Sequence, residues 1–255
     1  QATTAYAALE AYQLTRDPEM ADLARKILIY VLRDLKAEDG GFYSAEDADS
    51  EGAEGTFYVW RPDEIISLLG EDRGRLINDY YGVSGNGNFE EGTSVLHRLH
   101  DDKIFSSSRG ILPGEMSRIL DESRLQLLER RAQRERPFRD EKIITAWNGL
   151  IIATLAKASA VLDDSEYIQE AARAAAFIRE KLISSDGRLL RRYRDGDAAI
   201  PAFLEDYAYL VRAFIELYLA SEKKFFLEQA QYFTSEQDRL FNRDGLLYFS
   251  SSEDT

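Results

Sequence analysis

Residues 143–162 have the sequence IITAWNGLIIATLAKASAVL, in which Lys157 is the only charged side chain. A helix that is apolar on every side must be enclosed by other elements, because any face turned to water would expose hydrocarbon. In the next stretch, residues 165–183, apolar side chains recur at helical spacing, which is the pattern of an amphipathic helix. These apolar side chains are Ile168, Ala171, Ala172, Ala175, Ile178 and Leu182. The sequence therefore predicts an enclosed helix followed by a helix that covers it.

The same order of an apolar and an amphipathic segment occurs three times. The other pairs are residues 1–14 with 18–35, and residues 203–220 with 222–240. The pairs are followed by turns at Asp39-Gly40, Asp186-Gly187 and Asp244-Gly245, at steps of 147 and 58 residues. The turns within the pairs, at Asp17, Asp164 and Lys223, give steps of 147 and 59 residues. Both landmarks indicate a repeat of about 58–59 residues, with roughly 88 extra residues between the first and second units.

Turn chemistry supports these helix boundaries. Asp17 is suited to cap a helix that has Pro18 at its first position, and Asp163 and Ser221 are predicted to cap the equivalent outer helices. The Asp-Gly pairs are predicted to end the outer helices and return the chain inward.

Alternating enclosed and covering helices predict two concentric layers, as in an all-α, α/α barrel or toroid. Because each hairpin buries a face against the next, three hairpins alone would leave apolar edges uncovered. The first residues, which lack an initiator methionine, already have a helical pattern. We therefore expect this chain to be an excerpt of a longer polypeptide.

The extra residues predict an inserted mixed α/β segment. The predicted organisation is a first hairpin over residues 1–43, an insertion over residues 44–137, and two further hairpins over residues 138–255. Within the insertion we predict strands at residues 56–60 and 94–99 and helices at residues 62–69, 73–81 and 115–134. Both ends of the insertion lie where outer helices return to inner helices, so we expect it to overhang the rim formed by the inner-helix N-termini.

Composition narrows the functional classes. The 255 residues carry a net charge of −14, which argues against binding a phosphate backbone. The one basic stretch, residues 130–136, is interpreted as a solvated helix end. No charge-free apolar run of membrane-spanning length occurs, so no membrane span is expected. The chain has no cysteine, which excludes a disulfide scaffold and a thiol nucleophile, and a cytoplasmic location fits best.

Three polar clusters fall where outer helices lead back to inner helices. They are residues 44–52, residues 136–142 with the following 145–149, and residues 203–207. Because the repeat places these segments at neighbouring positions around one ring, we expect them to converge on one pocket.

We predict acid and base residues and substrate contacts from these clusters. The candidate catalytic carboxylates are Asp140, Asp206 and Glu205. The candidate substrate-binding residues are Glu46, Asp47, Arg139, Lys142, Trp147, Asn148 and Tyr207. Trp147 would stack on the apolar face of a sugar, and Arg139 or Lys142 would hold an acidic substituent. The alternative is that Glu205 and Asp206 complement the helix dipole and that Arg139 forms a simple ion pair.

A metal site is the weaker interpretation of the acidic run. Residues 47–52 resemble the start of a calcium loop, but Tyr58 stands where such a loop needs a bidentate glutamate. A divalent ion on Asp47, Asp49 and Glu51 stays open as an alternative. His97 and His100 lack cysteine partners and are interpreted as surface or packing residues. No metal or cofactor is predicted.

Taken together, the motifs resemble one protein family over nearly the whole chain. They are GGFYSAEDADSEG at 40–52, FYVW at 57–60, YYGV at 80–83, GNFE at 87–90, RPFRDEK at 136–142, WNG at 147–149 and LEDYA at 204–208. This pattern resembles the YyaL-like family, the group of thioredoxin-fold fusion proteins to which spermatogenesis-associated protein 20 belongs. The resemblance implies a six-hairpin (α/α)6 barrel, similar to six-hairpin glycosidases and to N-acylglucosamine 2-epimerases. It also implies an N-terminal thioredoxin-like domain that these residues do not contain.

The resemblance specifies a fold more firmly than a reaction. Barrel epimerases use histidines inside the barrel, whereas both histidines here lie in the insertion. The leading hypothesis is a carbohydrate-active barrel that binds or processes a saccharide or sugar derivative, either as a glycoside hydrolase or as an epimerase. The alternative is a non-catalytic scaffold that serves the thioredoxin-like domain.

Overall fold

A computed structural model describes residues 1–251 of the chain. In chain order the helices are α1 (Ala2–Thr15), α2 (Pro18–Tyr30), α3 (Pro62–Leu69), α4 (Glu71–Tyr81), α5 (Asp102–Ser108), α6 (Pro113–Arg131), α7 (Thr145–Leu162), α8 (Ser165–Lys181), α9 (Leu204–Ser221) and α10 (Lys224–Phe241). The strands are β1 (Ala45–Glu46), β2 (Asp49–Ser50), β3 (Ala53–Glu54), β4 (Arg139–Asp140), β5 (Ile143–Ile144), β6 (Leu190–Arg194), β7 (Asp197–Pro201), β8 (Asn242–Arg243) and β9 (Leu246–Leu247). Helix α2 continues as a π-helical turn, Val31–Leu35.

The chain divides into two compact units. The helical unit contains residues 1–45 and the chain from Asp140 onward, and the inserted unit is Glu46–Arg139. Each unit has its own apolar core.

The helical unit consists of three antiparallel helix pairs, α1/α2, α7/α8 and α9/α10. Helix α7 packs against α1 and α9 on its two sides and against α8 behind it. Eleven of its 18 residues are buried, compared with six of 17 in α8, so α7 lies in the inner layer and α8 in the outer layer. This arrangement confirms the predicted fold class, an all-α protein of helical hairpins in two layers as in an α/α barrel.

Helix α7 also has the length and hydropathy of a membrane span, with 61% of that span buried within the protein. Its packing against three neighbouring helices accounts for this composition, because enclosed helices are apolar all round.

The Asp-Gly turns repeat in the backbone pairing as well as in the sequence. Each is closed by an antiparallel pair, namely Lys36 with Phe42, Ile183 with Leu189, and Asn242 with Leu247. The first residues of these pairs are 147 and 59 positions apart, and the last residues are 147 and 58 apart. The glycines adopt positive φ angles of 116°, 85° and 82°, which a residue with a side chain would adopt only with strain. The predicted repeat is therefore confirmed.

Two of the predicted helix caps are shifted. Asp164, not Asp163, caps α8 by accepting a hydrogen bond from the Glu166 backbone amide at 3.0 Å. Asp163 instead ends α7 in the left-handed conformation. Helix α10 starts after Lys223, whose amide donates to the Ser221 hydroxyl at 3.3 Å.

A three-stranded sheet in the helical unit was not predicted. Its strand order is β5-β6-β7, and all neighbours are antiparallel. Strands β6 and β7 form a hairpin around Asp195-Gly196, and β5 leads directly into α7. Thr145, the first residue of α7, donates its hydroxyl to the Leu190 carbonyl at 2.6 Å. The sheet therefore lies at the N-terminal end of the inner helix α7.

The inserted unit packs helices α3, α4, α5 and α6 around a separate core. This core contains Trp60, Ile65, Ile77, Tyr80, Val83, Phe105, Met116, Leu120 and Leu127. The three predicted helices are present, and α5 is an additional one. The predicted strands at residues 56–60 and 94–99 are wrong, because Trp60 and Ser94 form only an isolated bridge.

Arg134 explains why the first of those strands does not form. One guanidinium nitrogen donates to the carbonyls of Phe57 and Val59 at 2.9 and 2.7 Å, so a side chain satisfies acceptors that a strand partner would otherwise take. Its other terminal nitrogen is 2.9 Å from both oxygens of Glu64, and the guanidinium stacks 4.2 Å from the Trp60 ring centroid. Arg134, in the basic stretch at residues 130–136, thus holds the loop around residues 57–59 in place. The interpretation of this stretch as a solvated helix end is wrong for Arg134, whose side chain is only 15% exposed.

Close contact between inner helices leads to a stability prediction. A Cβ atom on Gly149 of α7 would lie 2.7 Å from the Tyr209 carbonyl carbon and 2.9 Å from the Leu210 nitrogen of α9. Overpacking against backbone costs about 1–3 kcal/mol, more than the ~1 kcal/mol that alanine gains over glycine in a helix. We expect Gly149→Ala to lower the free energy of unfolding, measured by urea denaturation.

The matched control is Gly114→Ala in α6, where an added Cβ meets nothing within 4 Å. This variant should unfold at or slightly above the wild-type urea concentration. Equal stability of the two variants would contradict the close-packing account.

Candidate functional site

The Trp147 cavity, of about 200 Å³, lies at the N-terminal end of α7. Trp147 is 50% exposed there, although the surrounding helix is mostly buried. The apolar lining comes from Val31, Leu35, Leu150 and Ile151, and the polar lining from Gln1, Thr3, Ser44 and Asn148. A flat aromatic surface beside neutral hydrogen-bonding groups suits a ligand that has both an apolar face and hydroxyl groups.

Asn148 holds the loop that forms one wall of this cavity. Its side-chain oxygen accepts from the Phe42 amide at 2.8 Å, and its nitrogen donates to the Phe42 carbonyl at 2.9 Å and the Ile144 carbonyl at 3.0 Å. The Asn148 side chain is buried, and all three hydrogen bonds of its amide group go to backbone atoms. Asn148, predicted to bind substrate directly, therefore positions Phe42 and the following Tyr43 and Ser44 beside Trp147.

Asp140 is linked to the same cavity through Ser44. The Ser44 hydroxyl donates to the Asp140 carbonyl oxygen at 3.0 Å, and the Lys142 ammonium lies 3.1 Å from the Asp140 carboxylate. Burial alone would raise the pKa of Asp140, but the hydrogen bonds from Lys142 and Ser44 outweigh it, so the pKa is lowered. Asp140 is therefore ionised at neutral pH, and Lys142 serves as its partner.

Asp206 is fully buried, with both carboxylate oxygens engaged. One oxygen accepts from the Ala146 amide at the start of α7 at 2.9 Å, and the other accepts from the Phe203 amide at the start of α9 and from Arg191, both at 2.9 Å. Burial raises the pKa of Asp206 against the opposing effect of these bonds. The geometry makes Asp206 a cap that joins two inner helices, and at 0% exposure its predicted catalytic role has no access to substrate.

The two neighbours of Asp206 differ from it. Glu205 is 39% exposed and forms an ion pair with Arg191 at 2.8 Å. Tyr207 is 2% exposed, and its hydroxyl accepts a hydrogen bond from the Leu189 amide at 3.2 Å. Because Tyr207 packs in the core, its ring does not offer the stacking surface that was predicted. Burial also raises the pKa of its hydroxyl.

Arg191 is the residue of this group that sequence reasoning missed. It lies on β6 and pairs with both Glu205 and Asp206. The signal was present, because Asp195-Gly196 is a typical hairpin turn and would have placed β6 and β7 at the helix ends.

Glu46, Asp47 and Arg139 belong to the inserted unit. The Glu46 side chain is 7% exposed and is paired with Arg136 at 3.3 Å and the Tyr58 hydroxyl at 3.2 Å. Asp47 is exposed, and its side chain accepts from the Ala48 amide at 2.7 Å. The carboxylate of Glu46 is thus engaged inside this unit.

The acidic run after Asp47 forms a small hairpin. Asp49 pairs with Glu54 and Ser50 with Ala53 across a turn at Glu51 and Gly52, both with positive φ. Among residues 1–251, no cluster of three or more histidine and acidic side chains has the geometry of a metal site.

A second space, the Arg212 cavity of about 370 Å³, lies on the inner helices of the helical unit. It is lined by Thr3, Tyr6, Ala7 and Glu10 of α1, by Leu150, Ala153 and Thr154 of α7, and by Arg212 of α9. Thr3 and Leu150 also line the Trp147 cavity, so the two spaces adjoin. Sequence reasoning missed this group because its members lie more than 200 residues apart along the chain.

Comparison with known proteins shows homology over nearly the whole chain. The chain is 33% identical to spermatogenesis-associated protein 20 of Homo sapiens over 98% of its length, and 33% identical to that of Mus musculus over 96%. It spans 36% and 35% of those relatives, about a third of their length. No family model matches the chain.

Similar solved structures include sugar-processing enzymes. D-mannose isomerase matches with a TM-score of 0.44 at 12% identity, covering 99% of this chain and 62% of that one. Cellobiose 2-epimerase from Bacillus thermoamylovorans matches with a TM-score of 0.38 at 14% identity, covering 98% of this chain and 62% of that one.

The role of Asp206 can be tested by comparing it with its neighbour. Asp206→Asn should lower the free energy of unfolding by about 3 kcal/mol or more, because it leaves Arg191 and two amides without a buried carboxylate. Glu205→Gln should cost under about 1 kcal/mol, because that ion pair is partly exposed. Urea denaturation of both variants measures the difference.

Equal stability of the two variants would contradict the capping role. Full stability of Asp206→Asn together with a loss of ligand binding would instead restore the predicted role of Asp206 at the site.

Proposed function

This chain belongs to the family of spermatogenesis-associated protein 20, and from that premise we propose that its helical unit binds a saccharide in the Trp147 cavity. The observation that carries the proposal is the half-exposed indole of Trp147 at the mouth of a cavity whose helix is otherwise enclosed. Large aromatic side chains are commonly buried, and an exposed one at a concave site indicates a contact surface.

The lining of the cavity supports a saccharide. Around the indole lie the hydroxyls of Thr3 and Ser44 and the apolar side chains of Leu35 and Ile151. Hydroxyl groups of a sugar can bond to the first set, while its C–H face packs on the indole and the apolar floor. Apart from the Tyr43 phenol, the lining has no ionisable side chain, which favours a ligand without charge.

If the helical unit also processes this saccharide, Asp140 is the carboxylate best placed to take part. Its backbone carbonyl is bonded to Ser44 of the cavity wall, and its lowered pKa keeps the carboxylate ionised at neutral pH, which suits stabilisation of a positive charge that develops on the sugar more than abstraction of a proton. Glu205 is the other accessible carboxylate of the predicted set, and its partner Arg191 keeps it beside the α9 N-terminus.

The interaction with a thioredoxin-like domain belongs to the same proposal. The chain spans about a third of the length of its relatives, and the proposal is that a thioredoxin-like domain in the remaining length works with the helical unit. A scaffold that serves such a domain is the competing function, and it predicts that no sugar binds the Trp147 cavity.

A ligand screen tests the proposal. Neutral mono- and disaccharides should raise the melting temperature of the wild-type chain, because a ligand bound to the native state adds stability in proportion to the logarithm of its concentration over Kd. The shift should disappear in Trp147→Ala, measured by differential scanning fluorimetry.

The matched control is Phe225, an aromatic side chain of the helical unit that is 41% exposed and lies against Arg179. Phe225→Ala should keep the sugar-dependent shift. A screen in which no sugar stabilises the wild type would favour the scaffold and overturn the proposal.

A further inference from the structure

The polar lining of the Arg212 cavity is part of a network that crosses three inner helices. Helix α1 contributes Tyr6 and Glu10, α7 contributes Lys157, and α9 contributes Arg212 and Glu216. The Tyr6 hydroxyl donates to Glu216 Oε1 at 2.5 Å, and Lys157 Nζ is 2.7 Å from Glu10 Oε1. The network ties the three helices together on the face that carries the cavity.

The charges of this network cancel within it. Lys157 pairs with Glu10, and both cations lie over the Tyr6 ring, with the Arg212 guanidinium 4.3 Å and Lys157 Nζ 4.9 Å from its centroid. Burial raises the pKa of Tyr6, and Glu216 adds to the effect, so the phenol stays protonated at neutral pH. Two cations and two carboxylates therefore give no net charge in a chain whose total charge is −14.

Arg212 has hydrogen-bonding capacity to spare. Among the described residues it lies within ion-pairing distance of no carboxylate, and it stacks on the aromatic ring of Tyr6. A guanidinium carries five N–H donors, so donors remain at its edge beyond the hydrogen bond with the Tyr6 hydroxyl. Beside it, Ala7, Leu150 and Ala153 supply an apolar surface. The Arg212 cavity, like the Trp147 cavity, therefore combines hydrogen-bonding groups with an apolar surface.

The two cavities adjoin along α7. They share Thr3 and Leu150, and along α7 their lining runs from Trp147 to Thr154. Seven residues of helix extend about 10 Å, which is the length scale of two linked sugar rings. A ligand stacked on Trp147 can therefore continue to Arg212 without leaving the surface of the inner helices.

We propose that the Arg212 cavity is a second sugar subsite, and that the ligand of the helical unit is a neutral oligosaccharide of at least two units. This inference rests on the proposed saccharide function of the Trp147 cavity and adds the length and charge class of its ligand. One unit stacks on Trp147, and the next accepts hydrogen bonds from Arg212 and packs its apolar face on Leu150 and Ala153. A carboxylate or phosphate on the second unit would lie beside the Glu10 carboxylate of the lining as well as beside Arg212, so the balanced network favours a neutral unit.

Isothermal titration calorimetry with sugars of increasing length tests this inference. The probes are glucose, cellobiose and maltose, and mannose with β-1,4-mannobiose, each titrated into the full chain. The best disaccharide should bind at least about tenfold more tightly than its monosaccharide, which corresponds to about 1.4 kcal/mol. Arg212→Gln should remove this gain and leave the monosaccharide affinity unchanged, whereas Trp147→Ala should weaken both.

The controls separate a subsite from a general effect of charge or stability. Arg194→Gln is the matched control, because Arg194 is an exposed arginine of the same unit that pairs with Asp195 away from the cavity lining. Its affinities should equal those of the wild type. Tyr6→Phe, which removes only the hydroxyl bonded to Glu216, should reduce the disaccharide affinity and spare the monosaccharide affinity.

The outcomes distinguish this inference from the function on which it rests. Sugar binding that depends on Trp147 but shows no gain from a second unit, or no loss in Arg212→Gln, overturns the second subsite and leaves the saccharide function standing. A disaccharide with a terminal glucuronate, or a disaccharide phosphate, that binds about tenfold more tightly than the neutral one through Arg212 overturns the neutral assignment. Absence of binding by any sugar overturns both proposals.

Discussion

The helical unit depends on one buried carboxylate that serves three segments. Asp206 accepts hydrogen bonds from the first turn of α7, from the residue that precedes α9, and from Arg191 on the β6 strand. Helix N-termini expose amides that lack intrahelical partners, and a carboxylate satisfies them while complementing the helix dipole. The three donors supplied by the protein offset part of the cost of burying this carboxylate at 0% exposure, although burial still raises its pKa. The starts of two neighbouring inner helices are thereby held in register.

That register determines where Trp147 lies. Ala146, whose amide bonds to Asp206, directly precedes Trp147, and Asn148 directly follows it and binds the Phe42 backbone. The indole is thus placed between two residues whose positions are fixed by buried hydrogen bonds. Holding the flanking backbone in this way makes an exposed aromatic surface rigid, which lowers the entropy lost when a ligand stacks on it.

The sequence predicted the parts of the fold that follow from periodicity. The three hairpins and the Asp-Gly turns were recovered because hydrophobic spacing and turn residues are local signals. The strand predicted at 56–60 does not form, because a distant side chain, Arg134, satisfies the carbonyls of Phe57 and Val59. No local pattern records that kind of competition, although the Asp195-Gly196 hairpin did have a local signal and was overlooked.

The candidate site shows the same limit at the level of single residues. Glu205 and Asp206 are adjacent and chemically similar, yet one is 39% exposed and the other is buried. Adjacent helical positions point about 100° apart, so their environments are set by which neighbour lies on each side. The sequence motifs correctly placed both residues at the N-terminal end of α9. They could not show which residue caps the helix and which is accessible to a ligand.

A few side chains of the enclosed helix α7 indicate which of its faces is functional. Trp147, Leu150, Thr154 and Lys157 follow one another at helical spacing along α7. Three of them line the two cavities, and Lys157 pairs with Glu10 of the second cavity. Thr154, which is 1% exposed, donates to the Ala2 carbonyl of α1, and Lys157 pairs with Glu10 of α1, so the polar groups on this face of α7 have partners on α1. The single charge in residues 143–162 therefore marks the face of α7 on which both proposed subsites lie.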